Sequence, residues 1–463
     1  MKNFKRMATN SDGRELNENV PLKKTEKKTC FQYLIEGPRF ITTAFGVFSI
    51  VITIALLIQI YYGDFQVVPH GSVATDSREC SLIGTQILKQ RGNAVDSAIA
   101  SAFCLAVVNP HTSGLDAGGQ MIIYNHRTRE NAKVIDFSTR FQDFPRLLVG
   151  MVKAHSYYGQ LAWAKLIEPA ADLAMKGSFV SKQLQQAIKN AKLQKLFPSI
   201  QAGSKHKQKD LANFLKTTMD LPDIYNQIKT FNQSLDESKR RSFKNYNVFV
   251  PDDVYGDDFV TWLNKVEDLN DSEEIVDFTY VLANLSIELF EHTKKERKLF
   301  GETTTNVAVM DQNDLYVSLV MGLSEPFGSK IFTETGYIPD LVDTSSFLPL
   351  ILINRDFICA KRFVLGTRNL ITALQIVSGL IIDGDNSTVV IEKPRFDILL
   401  NKFIGYEEYH SQTFNGDIIA DLMKLGNPTY LQEPYSSCNI VEKISDDLNS
   451  HSDSRGGGFA SRF

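Results

Sequence analysis

The sequence predicts a mixed α/β (α+β) fold behind one transmembrane helix, and three stretches carry this prediction. From Val73 to about Val108 the apolar residues recur at the 3.6-residue spacing of helices, with a break at Gly92. Two β-branched runs, at 307–310 and 315–320, flank a polar turn and predict a β-hairpin. Residues 41–62 contain no charged side chain, which predicts a membrane span.

The uncharged stretch 41–62 is long enough to cross a bilayer. As a helix its 22 residues extend over roughly 33 Å, and a hydrocarbon core is about 30 Å thick. The mostly polar residues 1–40 precede it, which is not the arrangement of a cleaved signal peptide. The nearest basic residues lie on its N-terminal side: Lys23, Lys24, Lys27, Lys28 and Arg39. The positive-inside rule therefore predicts a single-pass type II protein of the plasma membrane, held in the lipid bilayer through 41–62, with a disordered cytoplasmic tail at 1–40.

The part after the span is predicted to be extracellular, and its composition suits a globular protein. The chain is 43% hydrophobic with a net charge of -4, so nothing predicts a nucleic-acid partner. Four Asn-x-Ser/Thr tripeptides lie in this part, at Asn232, Asn270, Asn284 and Asn386. Each asparagine is either a glycosylation acceptor or a plain surface residue.

A threonine cluster at 303–305 stands at the leading end of the predicted hairpin. An isolated threonine hydroxyl is a weak nucleophile, but it becomes effective when a base lies beside it. The threonine's own α-amine is such a base once the preceding peptide bond has been cut. The cluster is therefore a candidate processing and catalytic site, with a plain strand entry as the alternative, since threonine is a good strand residue.

Three motifs resemble the gamma-glutamyltransferase (glutathione hydrolase) family. The run PFGSK at 326–330 is similar to the Phe-Gly-Ser loop that follows the family's nucleophile by two strands. When the family's spacing is counted back from this loop without gaps, the nucleophilic threonine falls on Thr304. If the register is off by one residue, Thr303 is the alternative. GNAVD at 92–96 and SGL at 113–115 resemble the family's first half, in matching order.

This resemblance implies the four-layer αββα sandwich of the N-terminal-nucleophile hydrolases. It divides the extracellular part into a large-subunit-like region at 63–303 and a small-subunit-like region at 304–463. The implied substrate is glutathione or another γ-glutamyl compound, and no cofactor or metal is implied. Cys80 and Cys104 match a cysteine pair that is bridged in animal members, with two buried free thiols as the alternative. The oligomeric state is left open.

Further site residues follow from the resemblance. Ser345 and Ser346 match the serine pair that contacts the substrate carboxylate. Asp343 stands for the acids that bind the substrate amine, and Gly366 matches a glycine of the oxyanion hole. Thr304, these four residues and no metal ligand make up the predicted site.

The family's carboxylate-binding arginine is missing at its expected place, which Ser138 occupies. If the strand that contains Ser138 continues, Arg140 lies two residues beyond Ser138 on the same strand face. Its charge is then shifted by about 6 to 7 Å from the expected position. Arg140 is then either the substitute or an ordinary surface arginine. Other departures from the family's pattern fall at Asn306, Gly322, Ser324, Leu341 or Val342, and Leu365.

These departures leave two functions open. One is an autoprocessed enzyme that cleaves γ-glutamyl bonds, and the other is a catalytically degenerate membrane protein that binds or regulates. Glu302 and Thr303 make the approach to the cleavage site bulkier and more charged than in the family, so slow or absent self-cleavage is expected. The residues after Ser437 end in a glycine-rich run, which predicts a flexible tail.

Overall fold

The computed structural model describes residues 38–62, 69–141, 144–197, 200–220, 226, 228, 235–270, 278–293, 303–344, 346–399, 403–408, 414–431 and 433–463. It divides into two compact units, Met1–Val67 and Val68–Phe463. The predicted tail at 1–37, the glycosylation acceptor Asn232 and the predicted substrate-binding Ser345 lie outside the described residues. The predicted division between 303 and 304 concerns processing, and it stays a prediction.

In the first unit, helix α1 (Pro38–Tyr62) contains the predicted membrane span. Among the described residues it is the one helix that is long and apolar enough to cross a membrane, over Phe40–Gln59. The helix therefore agrees with the predicted span in position and length.

Helices and strands alternate irregularly along the second unit. The helices are α2 (Arg78–Lys89), α3 (Ala94–Val108), α4 (Arg146–Tyr158), α5 (Trp163–Lys176), α6 (Lys182–Asn190), α7 (Lys209–Asp220), α8 (Val254–Asn270), α9 (Phe278–Thr293), α10 (Leu370–Ile381), α11 (Ser387–Glu392) and α12 (Gly416–Leu425). The strands are β1 (Ser72–Ala74), β2 (Gly118–Asn125), β3 (Lys133–Asp136), β4 (Ser178–Phe179), β5 (Lys205–His206), β6 (Asp236–Glu237), β7 (Lys239–Phe243), β8 (Tyr246–Val250), β9 (Thr304–Met310), β10 (Leu315–Gly322), β11 (Leu348–Asn354), β12 (Arg362–Thr367), β13 (Phe396–Ile398), β14 (Ile404–Tyr406), β15 (Pro428–Tyr430), β16 (Ile440–Ile444), β17 (Asp447–His451) and β18 (Ser461–Arg462).

Two large β-sheets lie face to face at the centre of this unit. The first sheet has the strand order β18-β1-β9-β10-β2-β3-β6, and the second has the order β17-β16-β12-β11-β8-β7. Helices α2 to α5 and α7 pack on the outer face of the first sheet, and α8 to α10 on that of the second. The predicted αββα sandwich is confirmed.

The alternation of side chains along β9 assigns each residue to one layer. Val307 packs among the helices, while Ala308 packs between the sheets with Ile351 and Val364. Because successive side chains of a strand point to opposite faces, Thr304 lies on the same face as Ala308, towards the second sheet.

The predicted helix pair and its bridge are confirmed. Asn93 caps α3 reciprocally: its side chain accepts a hydrogen bond from Asp96 N, and Asp96 accepts one from Asn93 N. Cys80 and Cys104 form a disulfide with their Cα atoms 5.3 Å apart, which joins α2 to α3. The hairpin of β9 and β10 also forms where the two β-branched runs predicted it.

The helical pattern read from Val73 starts too early, because residues 72–74 form strand β1 between β9 and β18. Strand β3 ends at Asp136, so Ser138 and Arg140 lie beyond it in irregular chain. The reasoning that placed Arg140 two residues along one strand face is therefore wrong.

The prediction of a flexible C-terminal tail is wrong. Strands β16 and β17 extend the second sheet, and β18 pairs with β1 in the first. Four buried charged residues, the C-terminal cluster, hold this segment: Arg395, Glu407, Asp453 and Arg455. Arg455 Nη1 lies 3.1 Å from Asp453, Arg455 Nη2 lies 2.5 Å from Glu407, and Arg395 Nη2 lies 2.8 Å from Asp453.

Candidate functional site

Three strands present their ends side by side at one end of the sandwich. Thr304, Gly322 and Gly118 are in register on β9, β10 and β2. A Cβ on Gly322 would lie 2.6 Å from Thr304 Cγ2, and a Cβ on Gly118 would lie 2.9 Å from Arg146 Nη1. Because neighbouring strands are about 4.8 Å apart, Thr304 lies on the order of 10 Å from the strand on which Arg146 packs.

The two candidate nucleophiles differ in their surroundings. The hydroxyl of Thr303 donates to Leu323 O at 2.7 Å and accepts a hydrogen bond from Arg368 Nη1 at 3.3 Å. Thr303 is 1% exposed and Thr304 is 8% exposed. Thr303 is therefore committed to the backbone of the neighbouring strand, and Thr304 is the more accessible residue.

The backbone carbonyl of Thr303 belongs to the peptide bond that processing would cut. Its oxygen accepts a hydrogen bond from Leu323 N at 2.9 Å. A donor at this oxygen stabilises the negative charge that develops when a nucleophile attacks the carbonyl carbon. The contact also continues the ladder between β9 and β10, which fixes the position of the carbonyl.

Arg146 is a fully buried cation at the start of α4. Its Nε and Nη2 donate to Asp116 O at 3.0 and 2.6 Å, and its Nη1 donates to Ser138 O at 2.9 Å. Its Nη2 also lies 2.6 Å from Asp340 Oδ2. The guanidinium thus holds three segments together: the loop before β2, the segment after β3 and the loop after β10.

Asp340 is the buried carboxylate that pairs with Arg146. It accepts hydrogen bonds from Ser324 N at 2.9 Å and Ser324 Oγ at 2.5 Å, so it fixes the chain just beyond the end of β10. By resemblance, Leu341 or Val342 stands in the place of the family's acid, and both of these residues are exposed. The structure thus places a buried carboxylate one residue earlier.

Arg140 and Asp343 form the open side of the same charge network. Arg140 Nη1 lies 3.5 Å from Asp343 Oδ1, and Arg140 Nη2 lies 3.2 Å from Asp116 Oδ2. The Arg140 side chain is 37% exposed and that of Asp343 is 42% exposed. Together with the buried Arg146, Asp116 and Asp340 they form what we call the site cluster.

The PFGSK loop at 326–330 contacts the segment that carries Asp340. Ser329 N donates to Pro339 O at 2.8 Å. Gly328 has φ +47°, and a Cβ there would lie 2.5 Å from Pro339 O. Glycine is needed for this close approach, which positions the following Asp340.

Ser346 lies two residues before the start of β11. The adjacent Phe347 is buried, and the Arg368 guanidinium lies over its ring at 5.7 Å from the centroid. Arg368 Nη1 also donates to Leu323 O at 3.1 Å. Arg368 therefore bridges the chain beside Ser346 to the end of β10.

Gly366 lies within β12, on the sheet opposite Thr304. It pairs with Pro349, and a Cβ on it would lie 2.5 Å from Val320 Cγ2 and 3.0 Å from Ser318 Oγ. Glycine thus allows the two sheets to approach closely here. Leu365 has no positive φ, so leucine is accommodated in ordinary strand geometry.

Asp76 is the buried acid on the far side of the threonine cluster. It accepts hydrogen bonds from Thr305 Oγ1 at 2.6 Å, Asn439 Nδ2 at 2.9 Å and Ser437 Oγ at 3.1 Å. Burial nevertheless raises the pKa of Asp76 from 3.8 to about 6. Asn306, which stands where the family has histidine, donates to Asn439 O at 2.9 Å.

Sequence reasoning missed four residues of this region: Asp116, Arg146, Asp340 and Arg368. Asp116 lies in the glycine-rich loop before β2 and Arg368 follows the Gly-Thr pair, so both were close to recognised motifs. Arg146 and Asp340 carry no local signal, because their partners are distant in sequence. Within the described residues, no group of three or more His, Cys, Asp or Glu side chains is arranged to hold a metal ion.

Comparison with solved structures supports the fold. A crystal structure of cephalosporin acylase from Bacillus halodurans superposes with a TM-score of 0.70 at 17% identity, covering 85% of this chain and 96% of that chain. The second unit therefore shares the fold of this acylase.

Sequence comparison finds similarity to one family over part of the chain. The family model described as Gamma-glutamyltranspeptidase matches residues 80–140 and 144–226. Glutathione hydrolase 7 from Bos taurus and from Homo sapiens are each 34% identical over 214 residues, or 40% of this chain and 32% of each relative. Glutathione hydrolase 2 from Arabidopsis thaliana is 36% identical over 137 residues, 25% of this chain and 23% of the relative.

Over the matched residues the chain is similar to the gamma-glutamyltranspeptidase (glutathione hydrolase) family. The matched region of this chain spans 32% of the length of the Glutathione hydrolase 7 relatives. The family model covers Asp116, Arg140 and Arg146 but ends before Thr304.

Proposed function

We propose that the chain cleaves the γ-glutamyl bond of glutathione or its conjugates, with Thr304 as the nucleophile. The observation that carries this proposal is the position of Thr304 at the start of β9, where the preceding Thr303 carbonyl accepts the Leu323 N–H at 2.9 Å. A hydrogen bond to the carbonyl that Thr304 Oγ would attack supports this proposal, because it would stabilise the charge that develops on the oxygen.

Two displacements make up the proposed chemistry. In processing, Thr304 Oγ attacks the Thr303 carbonyl carbon, and the hydroxyl proton passes to the Thr304 nitrogen as the C–N bond breaks, which frees the α-amine and leaves an ester on Oγ. Water then hydrolyses this ester and restores the Thr304 hydroxyl. In turnover, this amine takes the hydroxyl proton while Oγ attacks the γ-glutamyl carbonyl. The proton passes to the leaving nitrogen, and water or an amino acid then releases the glutamyl group from the threonine ester.

The open part of the site cluster supplies the recognition of the substrate's amino-acid head. Arg140 and Asp343 are each more than a third exposed and carry opposite charges. A zwitterion can replace their mutual ion pair, with its carboxylate on the guanidinium and its ammonium on Asp343. Ser346, Gly366 and the undescribed Ser345 stay proposed as substrate-binding residues.

We also propose the type II topology, with α1 in the plasma membrane and the second unit outside the cell. The basic residues before the span support this orientation. The disulfide between Cys80 and Cys104 supports an oxidising compartment. The acceptors Asn284 and Asn386 are both exposed, as glycosylation would require.

A pseudoenzyme is the second candidate function, and one observation favours it. Asn306 replaces the family's histidine and is engaged by Asn439, so it adds no titratable group near Thr304. In this alternative the site cluster binds a γ-glutamyl compound without cleaving it, and the chain stays intact.

The test is an immunoblot of the full chain with a C-terminal tag, paired with hydrolysis of a γ-glutamyl anilide. We expect a tagged fragment that starts at Thr304, slowly formed and lost in Thr304→Ala together with the anilide hydrolysis. Thr303→Ala is the matched control: it removes the hydrogen bond to Leu323, at a cost of about 1 kcal/mol, but leaves the nucleophile.

Three outcomes separate the alternatives. A fragment that starts at Thr303, abolished by Thr303→Ala, moves the nucleophile by one residue. An intact chain that binds glutathione in calorimetry, without hydrolysis, supports the pseudoenzyme. An intact chain with neither activity nor binding contradicts both functions.

A further inference from the structure

The two residues that follow Thr304 are held by distant parts of the chain. Thr305 Oγ1 donates to Asp76 Oδ2 at 2.6 Å. Asn306 Nδ2 donates to Asn439 O at 2.9 Å, and Asn306 Oδ1 accepts a hydrogen bond from Asn439 N at 2.8 Å. Each of these four residues is at most 7% exposed. We call Asp76, Thr305, Asn306 and Asn439 the β9 clamp.

The β9 clamp takes the place of a neighbouring strand on one edge of β9. Strand β1 pairs only with residues 308–310 of β9. Nearer the site, Asn439 Nδ2 donates to the backbone Asn306 O at 3.2 Å and to Asp76 Oδ1 at 2.9 Å. The Thr303 carbonyl is bonded to the chain directly after β10, and successive carbonyls of a strand face opposite edges, so Asn306 O lies on the edge away from β10. The start of β9 is thus supported on both edges.

Buried ion pairs fix the β9 clamp from the C-terminal side. Asn439 Oδ1 accepts a hydrogen bond from Asp453 N at 3.2 Å, and Cys438 N donates to Asp453 Oδ2 at 3.0 Å. Asp453 belongs to the C-terminal cluster, where it pairs with Arg395 and Arg455. A buried polar network whose members are satisfied is rigid. Asn439 is therefore a fixed support for the start of β9.

Processing would remove another support of Thr304. In the uncut chain the preceding Thr303 is bonded to Leu323 through both its hydroxyl and its carbonyl. Cleavage between Thr303 and Thr304 turns Thr304 into a chain end, and chain ends are poorly ordered unless they are tied down. The β9 clamp acts on the residues directly after Thr304, so this cleavage leaves its hydrogen bonds intact.

We propose that the β9 clamp positions Thr304 for turnover once the chain has been cut, with Asp76 and Asn439 as positioning residues. This inference rests on the proposed function. Thr304 supplies both the attacking hydroxyl and, through its α-amine, the base, so a small displacement of this residue misaligns both groups. Asn306 then has a positioning role at the place where the family has histidine. Through Asn439 the C-terminal segment contributes to turnover as well as to the stability of the fold.

The test removes one hydrogen bond of the β9 clamp and keeps the branched shape of the side chain. Thr305→Val replaces the hydroxyl that donates to Asp76 with a methyl group, and both residues are β-branched. Thr305→Ser keeps the hydroxyl and is the conservative variant. The matched control is Thr218→Val, which removes a buried threonine hydroxyl on α7 that donates to Leu215 O at 2.7 Å.

The first readout is the hydrolysis of a γ-glutamyl anilide by the full chain in detergent, with kcat expressed per cleaved chain. We expect Thr305→Val to lower kcat about 10-fold and to leave KM within about twofold, because the nucleophile is misaligned while the substrate contacts remain. Thr305→Ser should recover most of kcat. Thr218→Val should have the kcat of the unaltered chain.

Hydrogen exchange of the segment 304–310 is the second readout, and it does not depend on catalysis. Peptides that begin at Thr304 report the cleaved chain, and peptides that span the cleavage site report the uncut chain. In Thr305→Val we expect the segment to exchange at least about fivefold faster in the cleaved chain than in the cleaved unaltered protein. The uncut chains should differ much less, since Thr303 still holds the segment there.

The outcomes separate this inference from the proposed function. An unaltered chain that is never cut, or is cut but inactive, overturns the proposed function and the positioning role with it. A cleaved and active chain whose kcat and exchange are the same in Thr305→Val overturns the positioning role alone. A loss of kcat that Thr218→Val shares, or that Thr305→Ser does not recover, assigns the effect to general destabilisation and likewise overturns the positioning role.

Discussion

The site cluster and the C-terminal cluster contain the same chemical groups but differ in their access to water. In the C-terminal cluster every charged side chain is at most 4% exposed. In the site cluster Arg146 and Asp340 are equally buried, but Arg140 and Asp343 are 37% and 42% exposed. One network is closed, and the other is closed on one side and open on the other.

This difference separates a structural role from a binding role. Removing one partner of a buried ion pair lowers the stability of the fold strongly, because the other charge is then left without water or a counter-ion. An exposed pair contributes little to folding, and its charges exchange with solvent at low cost. The open pair is therefore the part of the network that a zwitterionic ligand can use.

Breaking the closed cluster should have the largest effect on stability. Arg455→Met removes the ion-pair partner of Glu407 and one partner of Asp453, and leaves the buried Glu407 carboxylate with the Arg395 N–H but without this counter-ion. We expect a loss of about 3 to 5 kcal/mol in the free energy of unfolding. Denaturant unfolding of the detergent-solubilised chain measures it.

The matched control for this variant is Lys176→Met. It removes an exposed i,i+4 pair with Asp172, whose side chains are 74% and 47% exposed. This variant should change the free energy of unfolding by less than about 0.5 kcal/mol. Equal losses in Arg455→Met and Lys176→Met would contradict the structural role of the closed cluster.

Asp76, the buried acid beside the threonine cluster, should make the stability of the fold depend on pH. Its pKa is raised by burial from 3.8 to about 6, so between these values the folded state binds more protons than the unfolded state. The charge is costly in the folded protein, and stability falls as pH rises through this window, by about 3 kcal/mol in total. Asp76→Asn should remove this part of the pH dependence.

The measurement is the free energy of unfolding from pH 4 to pH 6.5 for the unaltered chain and for Asp76→Asn. The difference between the two curves should grow towards the upper end of the range, whatever the absolute effect of the substitution. A constant difference across the range would show that Asp76 titrates as an ordinary exposed aspartate.

Removing the exposed cation of the site cluster should have the smallest effect on stability and a clear effect on ligand binding. Arg140→Met removes a partly exposed cation, so the free energy of unfolding should fall by about 1 kcal/mol or less. Affinity for glutathione should fall by about 10- to 100-fold, because the carboxylate loses a charge-assisted hydrogen bond. Titration calorimetry measures the binding, and unchanged affinity would remove Arg140 from the proposed site.

Local sequence patterns predicted the elements that depend on near neighbours. The capped helix that begins at Asn93 and the hairpin around 311–314 follow from hydrophobic periodicity and turn chemistry. The candidate nucleophile Thr304 came from motif spacing, and the structure places it at a strand end facing the second sheet. Gly366, Asp343 and Ser346 were also found by motif, and the structure places them on segments that border this end.

The C-terminal segment shows why composition failed as a predictor. A run of glycines ordinarily indicates a flexible chain, because glycine gives the backbone freedom. Here the glycines allow close packing: a Cβ on Gly458 would lie 2.0 Å from Thr75 O, and one on Gly456 would lie 2.1 Å from Asp76 Oδ1. Their neighbour Arg455 supplies the buried charge that holds the segment.

The sequence by itself predicted the long apolar helix at 41–62, the helix pair around Gly92, the hairpin at β9 and β10 and, through motif resemblance, the candidate nucleophile Thr304. These features depend on residues that are close along the chain or on patterns of known spacing. Only the tertiary structure decided that Arg146 pairs with Asp340, 194 residues away, and that Arg140 faces Asp343. The physical reason is that a buried charge selects its partner by proximity in space, and that proximity exists only after the two sheets and their helices have packed.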